Sequence, residues 1–187
     1  MNKRLLDILL AICCLIILLP IALVIVLCVR LSSEGSAIYW SKRVGKDGVE
    51  FLMPKFRTMY VNTREVETEF LAHPETQITK FGKILRKTSL DEIPQIISVL
   101  QGHMSFVGPR PALFSQTILL KERRRLGIHL LRPGITGWAQ INGRDQISIN
   151  KKIELDYHYL MRKSFWLDLE ILFRTVVLVL KSKDIRH

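Results

Sequence analysis

The sequence predicts an α+β, mainly helical chain in which one N-terminal membrane helix packs on a small α/β body with further helices lying along its surface. Three observations predict it. Residues 8–29 carry no charged side chain, and as a helix they reach about 33 Å, the thickness of a bilayer's hydrocarbon core. Residues 79–87, 149–161 and 165–180 repeat apolar positions at helical spacing. Two short β-prone runs, 37–40 and 49–53, flank the turn-forming Lys46-Asp47-Gly48. The expected division is a membrane-embedded helix over 1–31 and one domain over 32–187.

The formal net charge of +11 over 187 residues requires an anionic partner: nucleic acid, anionic lipid or a phosphorylated substrate. Cys13, Cys14 and Cys28 all fall in the apolar run, so they build no disulfide framework for the body. No His/Cys cluster has zinc spacing. The apolar run is longer than the ~7–15 residues of a signal-peptide core and is followed by no small-residue cleavage site, which favours a retained membrane segment over a cleaved leader.

Lys3 and Arg4 precede the run while Arg30, Lys42 and Arg43 follow it, so the positive-inside rule does not separate its two ends. Pro20 lies near its middle, where a missing N–H and a ring clash kink a helix. These residues leave two geometries standing, a kinked spanning helix and a re-entrant one that returns both ends to one face.

After a loop at 32–36 come the two strands, the first with Tyr39 and Trp40 as interfacial aromatics and Lys42 and Arg43 at head-group level. In Lys55-Phe56-Arg57-Thr58-Met59, alternation puts Lys55 and Arg57 on one face and Phe56 on the other. A solvated cationic face is the plain alternative. Residues 61–74 are polar and acidic and read as a surface helix and loop. In the helix over 79–87, Phe81, Ile84 and Leu85 form the apolar side and Lys80, Lys83 and Lys87 the other, which aims charge at Asp91.

Ser89-Leu90-Asp91-Glu92-Ile93-Pro94-Gln95 is the pivotal stretch. Ser89 and Glu92 have capping-box spacing, but that register makes Pro94 the fifth helical residue, where it is costly. Starting the helix at Asp91 puts Pro94 in the tolerant first turn, and the helix then runs through Leu100 to a stop at Gly102. At a helix start beside cations Asp91 is expected to be ionised, as a nucleophile or a Mg²⁺ ligand must be. Local residues alone allow both a surface cap and a catalytic pair.

Gly108-Pro109-Arg110-Pro111 locks two φ angles around an arginine, which suits phosphate oxygens and equally suits an ordinary rigid turn. Residues 132–144 read as a long loop in which Trp138 could stack on a base or sugar while backbone amides hold phosphate. Neither the Walker nor the dinucleotide spacing occurs. The helix over 165–180 carries Asp168, Glu170 and Arg174, costly in mid-bilayer, so it belongs to the core or to the membrane surface.

In this order the motifs resemble those of the bacterial sugar transferases, monotopic phosphoglycosyl transferases that start glycoconjugate assembly on polyprenol phosphate. The resemblance rests on Lys3-Arg4-x-x-Asp7, Lys55-Phe56-Arg57-Thr58-Met59, Phe81-Gly82-Lys83-Ile84-Leu85-Arg86 and the Ser89 to Gln95 stretch. It extends through Ser105-Phe106-Val107-Gly108-Pro109-Arg110-Pro111, the whole 132–144 segment and Phe165-x-x-Asp168-Leu169. It favours the small, single-domain members. It implies that Asp91 attacks a UDP-sugar and expels UMP, and that polyprenol phosphate then takes the phosphosugar from the enzyme. Glu92 then binds Mg²⁺ with Asp91 or moves a proton; Lys55 completes the catalytic group and Arg86 and Arg110 hold phosphate. Trp138, Asn142, Gly143 and Arg144 are assigned to nucleotide or sugar. The implied partners are a UDP-sugar, polyprenol phosphate and membrane lipids, with a homodimer allowed and no nucleic acid. The implied location is the bacterial inner membrane, with the catalytic domain on its cytoplasmic face. The family's Ser-Pro pair at the helix break is Leu19-Pro20 here, and its Arg-Pro-Gly after the first strand is Arg43-Val44-Gly45; Pro20 keeps the matching place and favours re-entrance. The rival class is a non-catalytic, membrane-anchored basic protein that holds anionic lipid or nucleic acid, which explains the charge but not the acidic pair.

Overall fold

A computed structural model describes residues 3–61, 63, 74–143 and 147–181. The chain is mostly helical, with small sheets. Helix α1 (Lys3–Ser32) runs through Pro20 as one helix. Among the described residues it is the one helix long and apolar enough to cross a membrane. Its outer residues Ile16, Ile17 and Leu31 are 70%, 70% and 79% exposed, whereas Asp7, Ala11, Ile25 and Val29 are buried. The buried positions form two pairs four residues apart, 14 residues separating the pairs, so all four lie near one stripe that turns toward the body.

Both ends of α1 are tied to that body. Near the N-terminus the Arg4 guanidinium donates to the carbonyls of Val99 and Leu100, in the last turn of a helix where carbonyls need partners from outside the ladder. Asp7 Oδ1 accepts from the Ser105 hydroxyl and the Phe106 amide, each at 3.1 Å, and Lys3 reaches Asp168 and the Tyr159 hydroxyl. Just past its C-terminus, Arg57 Nη2 donates to the carbonyl and hydroxyl of Ser33 at 2.7 and 3.0 Å. Arg57 is therefore buried, not on a solvated face.

Strands β1 (Ile38–Val44) and β2 (Glu50–Phe56) form an antiparallel hairpin in which Tyr39 faces Lys55. The turn between them holds Asp47 at φ 59°. Short α2 (Pro74–Gln77) leads to α3 (Lys80–Thr88), where Thr79 Oγ1 accepts from the Gly82 amide at 2.9 Å as an N-cap. Gly82 is required by packing, because a Cβ there would lie 2.1 Å from the Thr58 carbonyl oxygen. Leu85 is buried as expected, but Ile84 is 55% exposed and faces out of the core. The segment 61–74 lies almost wholly outside the described residues.

Ser89, at φ 57°, ends α3 in the left-handed region and opens a single 3-10 turn over Leu90–Glu92. Helix α4 (Gln95–Gln101) follows, with Pro94 as its N-cap. The helix thus starts four residues later than the sequence predicts. Pro94 has no N–H to give to the preceding turn, so it sits ahead of the α-helical ladder and not inside its first turn. No Ser89 side-chain cap forms. Gly102 does close α4, at φ 87°.

Strands β3 (Ser105–Val107) and β4 (Gly134–Thr136) pair in parallel, with α5 (Thr117–Arg125) in the crossover. A single turn, α6 (Trp138–Ile141), comes next, so the predicted 132–144 loop is a strand and a helical turn. Helices α7 (Ile149–Arg162) and α8 (Phe165–Lys181) complete the fold. Ala11 of α1 packs with Phe51, Met53, Ile96, Val99 and Met104, while Ile25 and Val29 pack with Phe56 and Leu85. A third cluster joins Ala112, Leu119, Ile128 and Ile153, and Ile171 of α8 packs on Val107 and Tyr159. Trp166, Phe173 and Val176 of α8 stay exposed.

Candidate active site

A cavity of about 1030 Å³ opens where the hairpin, the 3-10 turn and the Gly108 to Pro111 loop meet. Four short-range decisions converge on it. The β2 strand ends by aiming Lys55 inward. Ser89 turns the chain so that Asp91 and Glu92 follow on a tight turn. The locked Pro109-Arg110-Pro111 brings in a guanidinium, and α3 places Arg86 beside Thr58, with Nε donating to Thr58 Oγ1 at 2.9 Å.

Lys55 Nζ lies 2.7 Å from Glu92 Oε1 and 3.8 Å from Asp91 Oδ2. Both terminal nitrogens of Arg110 stand 3.4 Å from the same Glu92 oxygen. Asp91 is only 8% exposed. Its burial, and next to that the adjacent Glu92, push its carboxyl above the ordinary range, while Lys55, Arg86 and Arg110 oppose the rise. The predicted helix-start position does not hold, so the helix dipole does not offset the burial. Burial lowers the Arg86 guanidinium below its usual range, with Asp91 opposing.

The residue set built around Asp91 is thus brought together: Lys55, Arg86, Glu92 and Arg110 all line the same cavity. The set assigned to nucleotide or sugar is not. Trp138 stacks on His158, with ring centroids 5.3 Å apart, and meets the Arg174 guanidinium at 5.6 Å; Asn142 donates to the Trp138 carbonyl. Trp138, Asn142 and Gly143 do not line the cavity, and Arg144 lies outside the described residues. Pro20 lies within α1 and does not itself line the cavity.

A protein-family model described as bacterial sugar transferase matches residues 1–182. The chain belongs to the bacterial sugar transferase family. It is 44% identical to a Bacillus subtilis protein named as the uncharacterized sugar transferase EpsL, covering 99% of this chain and 90% of that one. It is 36% identical to the exopolysaccharide production protein ExoY of Sinorhizobium fredii, over 97% of this chain and 87% of that one. It is 40% identical to the UDP-glucose:undecaprenyl-phosphate glucose-1-phosphate transferase of Escherichia coli, over 93% of this chain but 39% of that longer protein.

In this sugar transferase several cavity residues carry no local sequence signal. Arg123 and Asp156 form a buried ion pair, with Nη2 and Nε at 2.6 and 3.0 Å from Asp156 Oδ2. Burial pushes the Asp156 carboxyl up and Arg123 opposes it. Arg123 sits in a run of three arginines and Asp156 among the mixed charges of α7, so only the fold singles them out. Gln140 is 7% exposed, lines the cavity, and neither atom of its amide has a hydrogen-bond partner among the described residues.

Proposed function

We propose that this enzyme is a phosphoglycosyl transferase that moves a sugar 1-phosphate from a UDP-sugar to polyprenol phosphate. The products are polyprenyl-diphosphate-sugar and UMP, the first membrane step of building a glycoconjugate. The observation that carries the reading is Asp91, a nearly buried carboxyl in a cavity wall beside Lys55 and Glu92, with Arg86 and Arg110 at hand. In the first step an Asp91 oxygen attacks the β-phosphorus of the UDP-sugar. The bond to the UMP oxygen breaks and UMP leaves with that electron pair. In the second, the phosphate oxygen of polyprenol phosphate attacks the same phosphorus and Asp91 departs as carboxylate. Lys55, Arg86 and Arg110 offset the charge on the equatorial oxygens, the main demand of phosphoryl transfer.

Asp91 and Glu92 also fit Mg²⁺. They are adjacent hard-oxygen donors, and this ion takes one or two carboxylates and completes its shell with water and phosphate. When bound, the ion neutralises charge on the diphosphate; this chain's part is to present the two carboxyl groups.

The two ends of α1, docked on the same body, support a re-entrant placement of the helix in the cytoplasmic membrane, with residues 1–31 embedded and 32–187 on the cytoplasmic face. The exposed apolar faces of α1 and α8 then meet lipid. The relatives' names support undecaprenyl phosphate as the acceptor; the sugar differs among them, with glucose and N-acetylgalactosamine both named.

Intact-mass spectrometry after incubation with each of a panel of UDP-sugars and Mg²⁺, without acceptor, tests the chemistry. The expected result is a phosphosugar adduct and released UMP with at least one donor, and no adduct in Asp91→Asn. The same adduct in that variant, or release of UDP in place of UMP, overturns the mechanism. Reporter fusions at both chain ends test the topology, since a periplasmic N-terminal reporter means a spanning helix.

A further inference from the structure

We propose that Arg123 and Asp156 are positioning residues for Arg110, acting through the main chain of its loop. The proposal rests on the reaction given above, in which Arg110 serves the transferring phosphate. The backbone of this loop is pinned at several points along its length. The Gly108 amide donates to the Thr136 carbonyl and the Pro109 carbonyl accepts from Gly134, both at 2.9 Å; the Ala112 carbonyl accepts from Val44 at 3.0 Å. Pro109 and Pro111 have no N–H to give. A side chain holds the Arg110 carbonyl: Arg123 Nη1 donates to it at 2.9 Å.

Arg123 can do this because its fork is filled on the other side. Nε and Nη2 engage one oxygen of Asp156 at 3.0 and 2.6 Å, and the two side chains are 8% and 2% exposed. Asp156 comes from α7, Arg123 from α5, and the carbonyl from the loop between β3 and α5. A planar guanidinium with five donors in fixed directions can satisfy a carboxylate and a carbonyl together. From Arg110 the chain of contacts continues to Glu92 at 3.4 Å, then to Lys55 at 2.7 Å and on to Asp91 at 3.8 Å. A shift of the Arg110 backbone therefore moves a cation relative to the dyad, where displacements near 1 Å can cost about a hundredfold in rate.

An ion pair whose work is only to hold α5 to α7 makes a different prediction. Buried pairs can often be replaced by apolar side chains without loss of stability, so Arg123→Met with Asp156→Leu separates the two roles. Asp156→Asn, which keeps an acceptor oxygen and the shape, is the milder companion. UMP release from the active donor is measured under saturating conditions for each variant, alone and combined with Arg110→Ala, alongside thermal unfolding. The expected outcome is a fall in kcat on the order of tenfold to a hundredfold for the double variant, and a smaller fall for Asp156→Asn. Neither change should add to the loss already caused by Arg110→Ala, because residues acting as a unit are non-additive. Losses that multiply with the Arg110→Ala loss, or full activity in both variants, overturn the positioning role while leaving the reaction intact. A parent protein that releases UMP from no donor overturns the reaction and this role with it.

Discussion

Asp7 sits 5% exposed in the first turns of an otherwise apolar helix, and its position predicts what holds α1 to the site. Its Oδ1 accepts from the Ser105 hydroxyl and the Phe106 amide, each at 3.1 Å. Those two donors begin β3, the strand that runs into Gly108 and Arg110. Asp7→Leu fits the apolar surroundings but leaves both donors without an acceptor, at about 1–3 kcal/mol for each buried unsatisfied group. The summed cost is about 2–6 kcal/mol. Asp7→Asn keeps an acceptor oxygen in the same place, so it loses at most the difference between a hydrogen bond to a charged acceptor and one to a neutral acceptor, about 1–2 kcal/mol. For a chain of this size each kcal/mol moves Tm by about 2–4 °C. Thermal unfolding in detergent or lipid nanodiscs should rank parent, Asn and Leu in descending Tm, and UMP release should fall in the same order as Arg110 loosens. A Leu variant that melts with the parent refutes the acceptor role, and an Asn variant as unstable as Leu means that charge, not hydrogen bonding, holds the helix.

Lys55→Gln removes the cation 2.7 Å from Glu92 and 3.8 Å from Asp91; single-turnover adduct formation should slow on the order of a hundredfold. Asp91 has a folded-state pKa raised above 3.8 by burial, so ionising it destabilises the fold; that cost is absent below 3.8 and grows as pH rises toward the folded value. Asp91→Asn should therefore melt above the parent at pH 7, with the gain fading on acidification in a thermal-shift series. Under the proposed mechanism the attacking Asp91 carboxyl must be ionised, so the acid limb of UMP release should also lie above 3.8. Arg57→Met breaks the bonds of 2.7 and 3.0 Å to Ser33, which should cost about 2–4 kcal/mol and speed proteolysis at the end of α1.

The parts of this fold that one stretch of chain determines were legible in the sequence. The apolar run became α1, the turn at Lys46 to Gly48 joined two strands, and the basic amphipathic stretch became α3 with its Thr79 cap. Lys55, Arg86, Asp91, Glu92 and Arg110 could be named because each lies in a compact motif, and the fold brings all five to one cavity. What escaped depended on partners far away in sequence. Arg57 looks like a surface cation until Ser33 is placed beside it, and Asp156 is one charge among several until Arg123, 33 positions away, meets it. Trp138 offers an open aromatic face in the sequence, yet in the fold that face lies against His158 from α7, and Arg174 from α8 stands over the ring. Ile84 keeps helical apolar spacing but points outward, since amphipathic periodicity names a stripe and not what covers it.

The displaced start of α4 changes the chemistry expected of Asp91. A carboxylate in the first turn of an α-helix is stabilised by the dipole and by the unpaired amides around it, and a stabilised anion is a poorer nucleophile. Pro94 moves the helix start to Gln95, and Asp91 falls in the preceding 3-10 turn, where the largest influence on it is burial. Three cations then keep the carboxyl usable as an anion: Lys55 is the strongest of them, followed by Arg86 and Arg110. In the proposed first step the same cations face the oxygens of the incoming diphosphate, and as the phosphorus draws negative charge away from Asp91 the charge they stabilise moves by one bond and not out of their reach. An isolated buried aspartate has no such compensation on either side of the step. The proline that would interrupt a simple helix thus separates Asp91 from the dipole while leaving Glu92 between Lys55 and Arg110, so that the two neighbouring carboxyl groups sit in different electrostatic settings.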